Sequence, residues 1–403
     1  MTPFLQLIFV LTIILFASKL GGYLTTRIGQ PAVLGELLVG LLLGPSLIDL
    51  THLVFITDRH LGEVVAEFGE IGVLVLMFLA GLELHFSELT RNTRVAAFSG
   101  ILGVLTPVGL GLLAGYFFSH SFASAAFIGL TLGATSVSIS AQTLMELKVL
   151  RSRVGLGLLG AAVFDDILVI LLLSGFLALS SGGSALDMLF VILKMLAFLS
   201  LSAAFGLWIL PKISWRISKL PISQGMLTFS LIIMMIYGLA SELLGGMAAI
   251  TGTFLAGLMF ARTPEKSLIE SGLRSLAYSF FVPIFFVNIG LSVNIQNLSL
   301  DALWLMLVIT TFAILGKVVG CGFGAKLGGF NWLESLQLGI GMISRGEVGL
   351  IVASIGLAEG FINEAVFSAV VGMVLITTLI TPPLLRVSFK KAGNPSLASV
   401  EEA

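Results

Sequence analysis

Two adjacent carboxylates, Asp165 and Asp166, stand inside a run from Val154 to Leu173 that holds no other polar side chain. Arg153 lies twelve residues before Asp165, or about 18 Å along a helix. If the run crosses a bilayer, the pair sits near its middle. A carboxylate at that depth is costly and marks a functional site by default. The alternative is a structural pair neutralised by a basic partner, and two acids side by side are harder to explain that way than one.

A bilayer is what the composition demands. The chain has 403 residues, 57% hydrophobic and only 11% charged, against about 25% charged in soluble domains. Its mean hydropathy is +1.10. Apolar stretches long enough to span recur throughout, so the chain reads as an integral membrane protein. A net charge of −1 gives no reason to expect a nucleic-acid partner, and the single Cys321 rules out an intrachain disulfide. The first apolar segment lacks a small-residue cleavage site and reads as a retained helix.

Thirteen spans are expected near 3–26, 31–49, 62–84, 94–118, 122–147, 153–180, 186–210, 223–244, 246–261, 274–292, 301–326, 332–358 and 363–389. With the N-terminus outside, seventeen of the 21 Lys and Arg fall on the inner side and only Arg59 on the outer. The positive-inside bias therefore predicts an N-out, C-in protein of the cytoplasmic membrane. Three cations remain within spans. Lys194 is near enough to an end to snorkel. Lys317 and Arg345 lie at about the depth of the Asp pair and are expected to face it rather than lipid.

An internal repeat accompanies them. Gly35–Leu42 resembles Gly252–Met259, and Gly81-Leu82 matches Gly290-Leu291, with offsets near 210 that also lay Thr135 over Arg345. Seven spans separate the equivalent elements, so the copies run in opposite directions. Inverted repeats place a substrate site near the midplane, at discontinuous helices. The fifth span, Gly129–Ser140, and the twelfth, Gly339–Gly349, mix Gly with small polar residues at mid-depth where a plain span would be Leu-rich. Broken helices have this composition. Close packing through small residues is the other reading, but packing needs neither Arg345 nor Glu347.

Ala134-Thr135-Ser136, Asp165-Asp166, Ile314-Leu315-Gly316-Lys317 and Arg345-Gly346-Glu347-Val348-Gly349-Leu350, with the Gly29-Gln30-Pro31 to Gly44-Pro45 block, are together similar to the second family of monovalent cation/proton antiporters. Within it the chain most resembles the NapA-type sodium/proton antiporters. The resemblance covers nearly the whole chain. It implies an all-α membrane protein of about 13 transmembrane helices, with inverted repeats and two crossed discontinuous helices (NhaA/NapA-like). It implies a transport domain over about 94–180 and 301–389, a dimerisation domain over about 1–84 and 223–292 with 186–210 as linker helix, and a homodimer. It further implies that Asp166 binds the cation while Asp165 forms a salt bridge with Lys317. Family variants with Asn at the first acidic position are generally electroneutral, so the Asp pair favours electrogenic exchange. Ser344 departs from the pattern, since a Pro is common there.

The expected function is Na⁺ (or Li⁺) exchange for H⁺. Burial raises a carboxylate's pKa and a nearby cation lowers it, so proton and Na⁺ compete for one site. Thr135 and Ser136 are candidates to complete an oxygen shell around an ion on Asp166, and Arg345 and Glu347 to balance half-helix ends. No cofactor is called for, and the partners are monovalent cations, protons and membrane lipid. An intramembrane aspartyl protease needs its acids on different helices, whereas neighbours on one helix point about 100° apart. A channel needs a continuous pore. The rival is K⁺/H⁺ exchange of the KefC type. Against it, that pattern has Gln where this chain has Asp165, and its C-terminal regulatory domain is absent here. His52, His60, His85 and His120 fall at span ends or loops and form no site at depth.

Overall fold

The computed structural model describes residues 1–28, 30–45, 47–83, 92–119, 121–180, 185–291 and 300–390. His85, His120, Gly29, Arg91 and Lys391 lie outside them. Among the described residues the regular structure is helical. It runs α1 (Pro3–Arg27), α2 (Ala32–Leu43), α3 (Leu61–Glu83), α4 (Thr93–Ser119), α5 (Phe122–Gly133), α6 (Val137–Glu146), α7 (Arg153–Ser180), α8 (Ala185–Ala204), α9 (Leu210–Ile217), α10 (Gly225–Ala240), α11 (Ala249–Phe260), α12 (Lys266–Leu276), α13 (Val282–Leu291), α14 (Leu300–Leu327), α15 (Trp332–Gly341), α16 (Glu347–Ala358) and α17 (Glu364–Lys390). Short π-helical segments join α8 to α9 and α12 to α13. A backbone with no water to bond must satisfy itself, and helices do so locally.

Among the described residues ten segments are long and apolar enough to cross a bilayer. They correspond to ten of the thirteen expected spans. The other three, near 31–49, 246–261 and 332–358, are the twelve-residue α2, the twelve-residue α11 and the interrupted pair α15–α16. Each is shorter than the roughly 20 residues of a plain crossing.

The described chain forms two compact units. The first takes residues 1–69, 92–169 and 283–403; the second takes 70–91 and 170–282. In the first, α14 packs along α4. Gly316, Gly320 and Gly324 place one α14 glycine per turn against Pro107, Leu102 and Phe98 of α4, and Gly328, just past the helix, lies against Val95. Absent side chains let two backbones touch, the usual basis of helix association in lipid. The same unit holds α1 against α2, α4 against α5, α14 against α15 and α17, and α5 against α16. In the second unit α10 packs on α11 and on α12. The Tyr237 hydroxyl donates to the Ser202 carbonyl at 2.8 Å.

The repeat is visible as a contact made twice. In the first unit, a Cβ on Gly40 of α2 would overlap the Val287 carbonyl of α13, and one on Gly290 would overlap the Gly40 backbone. In the second, a Cβ on Gly257 of α11 would overlap the Phe78 carbonyl of α3, and one on Gly81 the Phe254 carbonyl. Gly40 and Gly257 are repeat equivalents, as are Gly81 and Gly290.

Candidate functional site

The site begins with two interrupted helices. α5 ends at Gly133, and Ala134 and Ser136 take extended backbone (ψ 144° and 111°) before α6 starts. α15, opened by an Asn331–Glu334 capping box, ends at Gly341, and α16 resumes after an extended Gly346. Ser and Thr offer the backbone alternatives to the helical ladder, which suits them to such breaks.

Each break satisfies the other. The Ser136 N–H donates to the Ser344 carbonyl at 2.9 Å, and the Ser344 hydroxyl donates to the Ser136 carbonyl at 2.7 Å. The Ser140 hydroxyl donates to the Gly341 carbonyl at 2.5 Å. Ser136 Oγ lies 3.0 Å from Ser138 Oγ. The buried polar backbone that opens at mid-span is thus closed by its counterpart.

Arg345 is completely buried. Its Nη1 donates to the Met342 and Ile343 carbonyls, both at 3.1 Å, and its Nη2 to the Ala313 carbonyl of α14 at 3.1 Å. The guanidinium therefore lies on the carboxyl end of α15, where unpaired carbonyls carry partial negative charge. The Thr378 hydroxyl of α17 donates to the Arg345 carbonyl at 2.6 Å.

One turn along α14 from Ala313 stands Lys317, also fully buried. Its ammonium donates to Asp165 Oδ1 at 2.5 Å. Neither side chain is more than 1% exposed. The Thr135 hydroxyl is buried beside the Asp165 carboxylate, with which it interacts, and neither it nor the second carboxylate oxygen has any other hydrogen-bond partner. Asp166 is 5% exposed and follows Asp165 on α7, so it points about 100° away. The fold thus gathers Thr135, Asp165, Lys317 and Arg345 around one buried locus, with Asp166 adjoining. Ser136 is engaged in the crossing. Glu347 opens α16, and its side chain lies outside the described residues.

Sequence reasoning missed several participants. Ser140, Ser344 and Thr378 tie the crossing together, yet a lone hydroxyl in an apolar span carries little signal. It also passed over two carboxylates, the buried Glu36 and the half-buried Glu146. Glu146 ends α6 and accepts from the Ala32 N–H at the start of α2 (2.7 Å) and from Gln142 Nε2 (2.8 Å). Glu36 faces Lys19 at 3.8 Å. His52 and His60 are surface residues paired with Asp49 and Glu63, each at 2.8 Å. Among the described residues no three His, Cys, Asp or Glu side chains cluster to hold a metal ion.

Relatives similar to the chain in sequence and a solved structure of similar fold are named as antiporters. The transmembrane sodium/hydrogen exchanger family matches residues 11–391. The chain is 38% identical to the Na⁺/H⁺-K⁺ antiporter GerN of Bacillus cereus, over 98% of its length and 99% of that protein. It is 37% identical to a Na⁺/H⁺ antiporter of Enterococcus hirae, over 96% of its length and 99% of that protein. Its fold matches the sodium proton antiporter MjNhaP1 of Methanocaldococcus jannaschii, with a TM-score of 0.62 at 17% identity, covering 98% of this chain and 99% of that one. By sequence along nearly its whole length the chain belongs to the sodium/hydrogen exchanger family.

Proposed function

We propose that this protein exchanges Na⁺ for H⁺ across the cytoplasmic membrane, electrogenically, by alternating access of one carboxylate site. The observation that carries the reading is the buried Asp165–Lys317 pair beside the buried Asp166, at the crossing of two broken helices. Asp166 takes either a proton or Na⁺. The place of the buried Thr135 hydroxyl beside the Asp165 carboxylate supports a role in the ion's oxygen shell, together with backbone carbonyls of the breaks. Hydrogen bonds from Arg345 to the end of α15 support its role in balancing the half-helix, with Glu347 placed at the start of the opposing half.

When Na⁺ occupies Asp166, the Asp165–Lys317 pair opens and Lys317 releases a second proton. Two titrating groups then serve one Na⁺. Residues 94–180 and 301–389 form the moving domain; 1–84 and 223–292 form the scaffold and the homodimer contact, joined by 186–210. The N-terminus lies outside and the C-terminus in the cytoplasm, following the distribution of Lys and Arg. K⁺/H⁺ exchange is the second reading, favoured by the name of the relative GerN.

Proteoliposomes loaded with Na⁺, Li⁺ or K⁺ test both across a pH series. Na⁺ and Li⁺ are expected to drive H⁺ flux that responds to a clamped membrane potential. Flux with K⁺ alone would select the second reading, and flux insensitive to potential would refute electrogenic exchange.

A further inference from the structure

We propose that the exposed face of α9 docks the phosphate headgroup of an anionic phospholipid. α9 closes the long apolar stretch Leu189–Ile217, so it lies where the chain leaves hydrocarbon for water. Its two faces differ sharply. Leu210 and Ser214 are fully buried, and the Ser214 hydroxyl donates to Glu265 Oε2 at 2.9 Å, fixing how the helix is rotated. On the other face Lys212, Trp215 and Arg216 follow one another at i, i+3 and i+4, the spacing of a single helix surface, and Lys219 stands in the turn just after the helix.

Those residues form a site. Pro211, Lys212, Trp215 and Arg216 line an open cleft of about 350 Å³. The Lys219 ammonium lies 3.5 Å above the centre of the Trp215 ring, which holds it beside the cleft. Among the described residues none of the three cations makes an ion pair, and Glu265 is engaged from the buried face. A cleft lined by two cations and no acid, with a third cation beside it, is complementary to an anion. A guanidinium fork matches two phosphate oxygens at once.

The surroundings select a lipid as the source of that phosphate. Trp208 and Trp215 are 69% and 54% exposed, and Leu220 and Ile222 are 51% and 59% exposed. Indole rings favour the membrane–water interface. A soluble phosphate would use the cations alone, whereas a phospholipid also lays its glycerol and acyl chains on this apolar rim.

Native mass spectrometry of the detergent-solubilised full-length protein tests the proposal. It would be titrated with phosphatidylglycerol, phosphatidylcholine or glycerol 3-phosphate. Each basic residue near an anionic surface is worth about fivefold in affinity. The triple variant Lys212→Gln, Arg216→Gln, Lys219→Gln is therefore expected to bind phosphatidylglycerol on the order of a hundredfold more weakly, with phosphatidylcholine binding unchanged. A Lys148→Gln, Arg151→Gln control should bind as wild type. If the triple variant does not fold, the single Lys212→Gln and Arg216→Gln variants carry the test at about fivefold each. Undiminished phosphatidylglycerol binding by the variants overturns the site. An equal loss in the control would reduce it to net charge. Glycerol 3-phosphate binding as tightly as the lipid would make it a small-anion site.

Discussion

At the scale of single residues, the locus sets the buried Asp165–Lys317 pair beside Asp166, the acid proposed to exchange its proton for Na⁺. Asp166→Asn keeps the volume of the side chain and removes the group able to carry either a proton or Na⁺. It is expected to abolish exchange while the protein stays folded. It should also erase Na⁺-dependent thermal stabilisation, which for a bound ligand at a hundred times its Kd amounts to about 2.7 kcal/mol. Substantial exchange by this variant would remove the proposed site. Lys317→Ala leaves Asp165 charged and uncompensated in the interior, and breaking a buried pair from one side costs about 3–5 kcal/mol. A melting experiment should show it clearly. Replacing both partners, Lys317→Gln with Asp165→Asn, exchanges the ions for groups that can hydrogen-bond. That double variant should still exchange Na⁺ for H⁺ through Asp166, but without generating a potential. A membrane potential from the folded, active double variant would show that the second proton travels elsewhere. These residues were legible in the sequence because a charge in an apolar run has no bland explanation. Asp165, Lys317 and Arg345 each announce a partner, and their similar depth says which. Ser344 did not announce itself. Its hydroxyl reads as neutral in any span until the Ser136 carbonyl is seen 2.7 Å away.

At the scale of helices, the two breaks were readable from Gly and small polar residues where Leu is expected, but not the manner of their joining. Composition tells that a backbone opens; it does not tell which distant atoms close it. Ser344→Ala leaves the buried Ser136 carbonyl without its donor, which costs about 1–3 kcal/mol. The loss should appear in thermal unfolding, and a Ser344→Thr variant should recover part of it by restoring the hydroxyl. No loss in Ser344→Ala would mean the crossing is held by other contacts. The glycine contacts were half legible. The repeat drew attention to Gly40 and Gly290, but their pairing with each other rather than within their own copies required the fold. Gly40→Ala places a methyl against the Val287 carbonyl, which is backbone and cannot rotate aside. Overpacking of this kind costs about 1–3 kcal/mol. Gly109→Ala, on the exposed side of α4 with nothing within 4 Å of a new Cβ, is the control. It should be neutral or stabilising by up to about 1 kcal/mol, since alanine favours the helix. Equal behaviour of the two variants would refute the close approach.

At the scale of the whole molecule, the ten long apolar segments of the described residues and their order were evident from hydropathy. The span of α11, near 246–261, reads as short and Gly-rich in the sequence, whereas the shortness of α2 does not show, because apolar character continues into the loop beside it. The reciprocal bonds between Ser136 and Ser344 join residues 208 positions apart, and that separation sets an order of events at the ribosome. At 5–20 residues per second, Ser344 is made roughly 10 to 40 s after Ser136. Throughout that interval the first break enters the membrane with an N–H and a carbonyl that have no permanent partner. The first half of the chain must therefore wait, held open by water or by the insertion machinery, for the second half to complete it. Arrested nascent chains ending before residue 330 should leave a cysteine placed at position 136 open to water-soluble thiol reagents, while chains extended past residue 390 should protect it. Early protection would mean the first half closes its own break and is later repaired by exchange.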